Sequence, residues 1–216
     1  MEFLDREIIK SINNDLLMEA LTHSSYSNEH KNTLNYERLE FLGDAVLELI
    51  TSEYFYQDTT LKEGEMTKKR ASFVCEQALS HYARDLGIDK LIRVGHGQLG
   101  NVNDTIVADV FESVLGAIYL THGLSVAKEY IYEIVVPYIK KDFMFLGDYK
   151  TLLQEYVQTD RKSLEYVLVK EYGEAHNKTF EVDVMIDGIV YGHGIGKSKK
   201  EAEQHAAFDA YRKSAK

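Results

Sequence analysis

The 216-residue chain has one cysteine and one proline, and no stretch of it approaches eighteen uncharged apolar residues. Each scarcity excludes something. A lone thiol, Cys75, cannot close an intrachain disulfide, so a disulfide-stapled secreted scaffold is excluded and a reducing, cytoplasmic setting is expected. The missing apolar run speaks against a membrane partner. Glu2, Asp5, Arg6, Glu7, Asp15 and Glu19, scattered through the first twenty residues, speak against a secretory leader. Internal repeats and low-complexity tracts are also lacking, and 44% apolar residues over this length suit one or two compact domains rather than a disordered tail. Positive charge is scarce as well. The chain carries 25 Lys+Arg against 35 Asp+Glu, a net charge of -10, which taken alone argues against a polyanionic partner.

That deficit is unevenly spread. Residues 1–147 hold 14 Lys+Arg against 23 Asp+Glu, whereas residues 148–216 hold 11 against 12, so the second part is nearly neutral. Periodicity changes at the same place. Helical spacing, as in Leu39, Leu42, Val46, Leu49 and Ile50 or Val110, Val114 and Ile118, predicts helices near 5–12, 14–22, 36–56, 65–86, 103–121 and 124–141. A Gly-rich polar loop, Gly95 to Asn101, interrupts them. Further on, Phe180, Val182, Val184 and Ile186 alternate with Glu181 and Asp183, and Asp187-Gly188 supplies a turn into Ile189-Val190-Tyr191. Tyr166 to Tyr172 also reads as strand. The last segment opens with Ser198 and has Glu201 three residues later, a capping-box pattern, before an alanine-rich helix. The expected architecture is multidomain: an all-α part over 1–143, a short hinge around 141–148, and a small α+β part over 148–216 in the order α-β-β-β-α.

The segment Asn35 to Ile50, NYERLEFLGDAVLELI, places Glu37, Glu40 and Asp44 on one helix face. Two such carboxylates about 5 Å apart repel by roughly 3 kcal/mol at an effective dielectric near 20, which requires compensation. A second pair, Asp109 and Glu112, lies in a similarly apolar helix. Carboxylates without cysteine suit a hard, oxygen-seeking divalent cation such as Mg2+. Pairing with Arg38, Lys68, Lys69 and Arg70, or exposure on a solvated face, is the plainer reading. A di-iron bundle is set aside, because none of the eight histidines has a glutamate three positions before it. Gly43, between Glu40 and Asp44, costs helix stability and implies close approach by a backbone, a partner subunit or a substrate strand.

The eleven contiguous residues ERLEFLGDAVL resemble the signature of the ribonuclease III family. Leu21 to Tyr26, Glu63-Gly64-Glu65-Met66 and Ile106 to Leu120 are similar to further stretches of that family. The resemblance implies a ribonuclease III-type helical domain whose Glu40, Asp44, Asp109 and Glu112 bind Mg2+, with Mn2+ a possible substitute and Glu40 and Glu112 the direct ligands. It also implies that Glu37 and Glu63 line the same acidic cleft and that Phe41 packs into the other subunit of a homodimer cutting both strands of duplex RNA. No small-molecule cofactor is implied. The stretch Asn101-Val102-Asn103-Asp104 lacks the basic residues many relatives carry there.

Residues 148–216 resemble the double-stranded-RNA-binding domain. Gln154 and Gln158, one helical turn apart, are ordinary surface glutamines on spacing alone; by resemblance they reach the RNA minor groove, where 2′-hydroxyls mark RNA. The Gly173–Lys178 connection offers His176 and Lys178, though any polar hairpin looks the same. Lys197, Lys199 and Lys200, grouped with Ser198 at a helix N-terminus, oppose the helix dipole, a conflict that phosphate would relieve. The expected activity is a Mg2+-dependent endoribonuclease of rRNA and mRNA precursors that leaves 5′-phosphates and short 3′ overhangs. The alternative is a duplex-RNA-binding regulator of the same fold with little catalysis, which loss of one of the four acids would have favoured.

Overall fold

The computed structural model describes residues 3–141, 143, 145, 149–159, 162–174 and 178–214. The chain divides into two compact units, Met1–Phe145 and Leu146–Lys216.

The first unit is built on two helices, α4 (Glu37–Tyr56) and α7 (Asp104–Lys140), packed along each other. In α4 the apolar spacing turns Leu39, Val46, Leu47 and Ile50 inward. Asn103 starts α7 by accepting from the Ile106 N–H at 3.0 Å. Gly123, at φ 79° and ψ 179°, breaks α7 where the sequence reading ended one helix and began the next. By length and composition α7 is apolar enough to cross a bilayer. Yet Val107, Val110, Phe111, Val114, Leu115 and Ile118 are fully enclosed by neighbouring helices, so it is the unit's central core helix.

Around this pair stand α1 (Glu7–Lys10), α2 (Asn14–Ala20), α3 (Ser24–Glu29), α5 (Glu63–Phe73) and α6 (Glu76–Leu86). The helix expected over 65–86 is therefore two. Val74 leaves helical geometry and Cys75 is extended, which turns the chain between α5 and α6. Glu63 to Met66 form the first turn of α5, where the Glu65 carboxylate accepts from the Lys62 N–H at 2.8 Å. The helix expected over 5–12 shrinks to the single turn of α1. The unanticipated α3 is capped by the His23 ring, whose Nδ1 accepts from the Ser25 N–H at 3.1 Å. Phe143 and Phe145, placed in the hinge by the sequence reading, pack with His81, Tyr82 and Tyr138 in an aromatic cluster of the first unit.

The second unit contains α8 (Tyr149–Thr159), an antiparallel sheet in the order β1 (Leu164–Tyr172), β2 (Thr179–Ile186), β3 (Ile189–Gly196), and α9 (Lys199–Ser214). Asp187 and Gly188 both take positive φ, 49° and 77°, as a two-residue hairpin with the sheet's right-handed twist requires. β3 runs on to Gly196, longer than the three residues the alternation marked. Its glycines let α9 lie directly on the strand: a Cβ at Gly194 would stand 2.1 Å from the Ala202 carbonyl oxygen. Ala202, Ala206 and Ala210 complete this close contact, all fully buried.

Candidate active site

The crossing of α4 and α7 brings the two acid pairs together. A Cβ at Gly43 would stand 1.8 Å from the Glu112 carbonyl oxygen, and one at Gly116 would stand 2.4 Å from that of Leu39. Backbone touches backbone. The approach that Gly43 implies is thus made by α7 of the same chain. Glu40, Asp109 and Glu112 are half-buried at this crossing, Asp44 and Glu37 are exposed beside it, and Glu63 is exposed at the start of α5.

Their charges act on one another. Burial, then the charges of Asp44, Glu40, Asp109 and Glu48, push the Glu112 carboxyl up to about 8. Burial, then Asp109, Glu37 and Asp44, push Glu40 up to about 7. Asp109 is raised chiefly by burial, against the opposing pull of a hydrogen bond from Tyr36. The Tyr36 hydroxyl donates to Asp109 Oδ2 at 2.9 Å, and burial followed by the Asp109 charge lifts its own titration far above the ordinary tyrosine range. Arg70, one of the cations considered as a neutralising partner, turns instead to Ser52 at 2.9 Å and Glu48 at 3.8 Å.

Among the described residues no three Asp, Glu, His or Cys side chains close into a finished coordination shell. The fit to a divalent cation rests on the donor set: carboxylate oxygens only, with Glu40 and Glu112 half-buried and raised by burial and by the charges of the neighbouring acids, a repulsion that a cation would relieve.

Phe41, also on α4, is 81% exposed. A phenyl ring this far in solvent, flanked on the helix by half-buried Glu40 and Leu42, is an uncovered apolar surface. An open cleft of about 350 Å³ between α4 and α5 has Leu49, Phe55, Tyr56, Glu63, Met66 and Arg70 among its lining residues.

In the second unit Leu153 and Val157 face inward on α8, and Gln154 and Gln158, each the next residue along the helix, lie exposed beside that inward face. His176 lies outside the described residues. Lys178 pairs with Glu171, and Lys199 and Lys200 are exposed at the start of α9. Lys197 Nζ lies 3.3 Å from the Thr179 hydroxyl. Ser198 Oγ accepts from the Glu201 N–H at 3.1 Å, while the Glu201 carboxylate takes the N–H of Lys197 at 2.6 Å, so the capping box is closed one residue earlier than the sequence pattern implies. Tyr36 was missed as a site residue. Its only sequence signal is an aromatic directly ahead of the acidic run.

Comparison with known proteins assigns each unit. Residues 13–139 match the family described as Ribonuclease-III-like, and residues 149–214 match the double-stranded RNA binding motif. The fold and the acid-lined crossing thus define a helical nuclease-type unit joined to an RNA-binding one. The chain belongs to the ribonuclease III family. It is 46% identical over 209 residues to Ribonuclease 3 of Bacillus cytotoxicus, covering 93% of this chain and 85% of that one. With Ribonuclease 3 of Streptococcus gordonii it shares 45% identity over 206 residues, 92% of this chain and 89% of the other. A solved nuclease domain of ribonuclease III from Campylobacter jejuni, described for flexibility in a region involved in dimer formation, matches with a TM-score of 0.56 at 34% identity. It covers 62% of this chain and 94% of that one.

Proposed function

We propose that the protein is a Mg2+-dependent endoribonuclease that hydrolyses phosphodiester bonds of double-stranded RNA as a homodimer. The observation that carries this reading is the meeting of Glu40 and Asp44 on α4 with Asp109 and Glu112 on α7, across a backbone contact that only glycine permits. Glu40 and Glu112 would hold the metal directly, with Asp44 and Asp109 completing the set and Glu37 and Glu63 adding negative potential to the cleft. Mn2+ would serve in place of Mg2+.

When bound, a divalent cation activates water and relieves charge on the departing oxygen. The chain's own contribution is to hold the acids rigidly at the crossing. Glu40 and Glu112, whose carboxyls are raised by burial and neighbouring charge, would bind such a cation in their ionised forms, so that its affinity would rise with pH. Exposed Gln154 and Gln158 would contact the minor groove. Lys197, Ser198, Lys199 and Lys200 would meet backbone phosphate, with Lys178 and His176 at a neighbouring groove. Phe41 would be covered by the partner subunit, in keeping with the dimer-forming region described for the Campylobacter relative. Two sites then cut opposite strands, leaving 5′-phosphates and short 3′ overhangs on rRNA and mRNA precursors in the cytoplasm. Cleavage of a long RNA duplex in Mg2+, abolished by EDTA and by Glu112→Gln with duplex binding retained, tests the reading. A duplex that is bound but left uncut in both Mg2+ and Mn2+ would replace it with a regulatory role.

A further inference from the structure

Asp109 does not stand alone on α7. Its Oδ2 accepts from the hydroxyl of Tyr36 at 2.9 Å, and Tyr36 is 3% exposed. Phenylalanine would fill the same space without the cost of burying a hydroxyl, so the hydroxyl is retained for a bond that offsets that cost. Tyr36 is also the N-cap of α4: its carbonyl accepts from the Leu39 N–H at 2.8 Å and from the Glu40 N–H at 2.9 Å, and its own N–H donates to the Thr22 carbonyl at 2.9 Å. One residue therefore starts the helix that carries Glu40 and grips an acid of the helix opposite. The His23 ring backs the phenol at 5.7 Å between centroids, and His23 is itself held by Ser25, whose hydroxyl lies 2.7 Å from Nδ1.

We infer that Tyr36 is a positioning residue, which holds Oδ2 of Asp109 at the α4–α7 crossing and leaves Oδ1 for the cation. The inference rests on the reading of the four acids as the metal site. Without the phenol hydroxyl the Asp109 carboxylate gains rotamers, and each must be frozen again when the cation binds. The loss falls on metal affinity rather than on duplex binding.

The test uses the full-length chain as wild type, Tyr36→Phe, Asp109→Asn and the double variant. Mg2+ binding is followed by calorimetry without RNA, melting is followed in EDTA, and cleavage is followed against Mg2+ concentration. Tyr36→Phe is expected to weaken Mg2+ binding by about three- to tenfold, the scale of one hydrogen bond. Its cleavage should recover at high Mg2+, its affinity for duplex RNA should not change, and the substitution should have no further effect in the Asp109→Asn background. Wild-type Mg2+ affinity in Tyr36→Phe, or an equal loss in the Asp109→Asn background, would overturn the inference. A second measurement does not depend on the variant's folding. In protein labelled at the tyrosine ring Cζ, one resonance should shift with Mg2+ in the wild type and also differ between wild type and Asp109→Asn, and the lack of any such shared resonance would also overturn it. If Asp109→Asn and Glu112→Gln themselves bind Mg2+ as wild type does, the metal-site reading has failed and the inference falls with it. If they bind Mg2+ more weakly than wild type while Tyr36→Phe binds it as wild type does, the inference alone has failed.

Discussion

Gly43 and Glu112 stand so close that a Cβ on residue 43 would lie 1.8 Å from the Glu112 carbonyl oxygen. The contact is backbone to backbone, so no side-chain rotation relieves it. It sets the distance at which the acids of α4 face those of α7, and it ties the unit's packing to its chemistry.

Gly43→Ala is therefore expected to force the two helices apart. Overpacking of this kind costs typically about 1 to 3 kcal/mol, and a contact this short with backbone places the variant at the upper end. Urea denaturation should show the loss, and cleavage should fall further than the stability change explains because the acid pairs separate. Gly116→Ala, with its 2.4 Å approach to the Leu39 carbonyl oxygen, should behave alike.

The raised Glu40 and Glu112 carboxyls give the metal-free protein a distinctive pH response. An unfolded glutamate titrates near about 4.3. These two titrate at about 7 and about 8 in the fold, so each proton is held more tightly folded than unfolded. Their contribution to stability is complete below the unfolded value and is lost as pH rises through 7 and then 8. In EDTA the melting temperature should fall between pH 5.5 and 8.5, and Mg2+ should restore it most at the alkaline end, where no proton competes.

How much of this was legible in the sequence depends on how local the cause is. The long apolar periods of α4 and α7 carried their own boundaries, including the break at Gly123, and the alternation of β2 with the Asp187-Gly188 turn carried the hairpin. The six residues of α3 leave too few turns for a period to register, and of the helix expected over 5–12 only the four residues of α1 form. The turn at Val74 and Cys75 contains neither glycine nor proline, so α5 and α6 read as one. Gly43 announced a close approach, but its partner, Glu112, is remote in sequence. Tyr36 is the sharper case, because its hydroxyl matters only through Asp109, which the fold alone brings near.

Phe41 tests the assembly. Its 81% exposure in one chain should vanish in the dimer. Phe41→Glu places a charge where a partner surface would have to bury it, and sedimentation should show dissociation at concentrations at which the wild type stays dimeric. Cleavage should drop with the dimer, while the metal-free melting of the single chain should change little.

Duplex-RNA affinity should depend on salt only modestly, because Lys197, Lys199 and Lys200 are the main cluster of cations offered and Lys178 is paired with Glu171. Replacing Lys199 and Lys200 by alanine should lower the slope of log affinity against log salt by roughly one per lost phosphate contact. Gln154→Ala should instead weaken RNA binding with the slope unchanged. A wild-type slope corresponding to about ten phosphate contacts per subunit would contradict this distribution of charge.

The most direct measurement is cleavage of a defined hairpin RNA by wild type and by Glu112→Gln, each in Mg2+ and in EDTA, with duplex binding followed in parallel. Wild type should cut only in Mg2+. Glu112→Gln should bind the duplex as tightly as wild type while its cleavage falls by more than about 100-fold, beyond what loss of an outer-shell partner of a metal causes. Cutting by Glu112→Gln at the wild-type rate would contradict the assignment of the α4–α7 crossing as the active site.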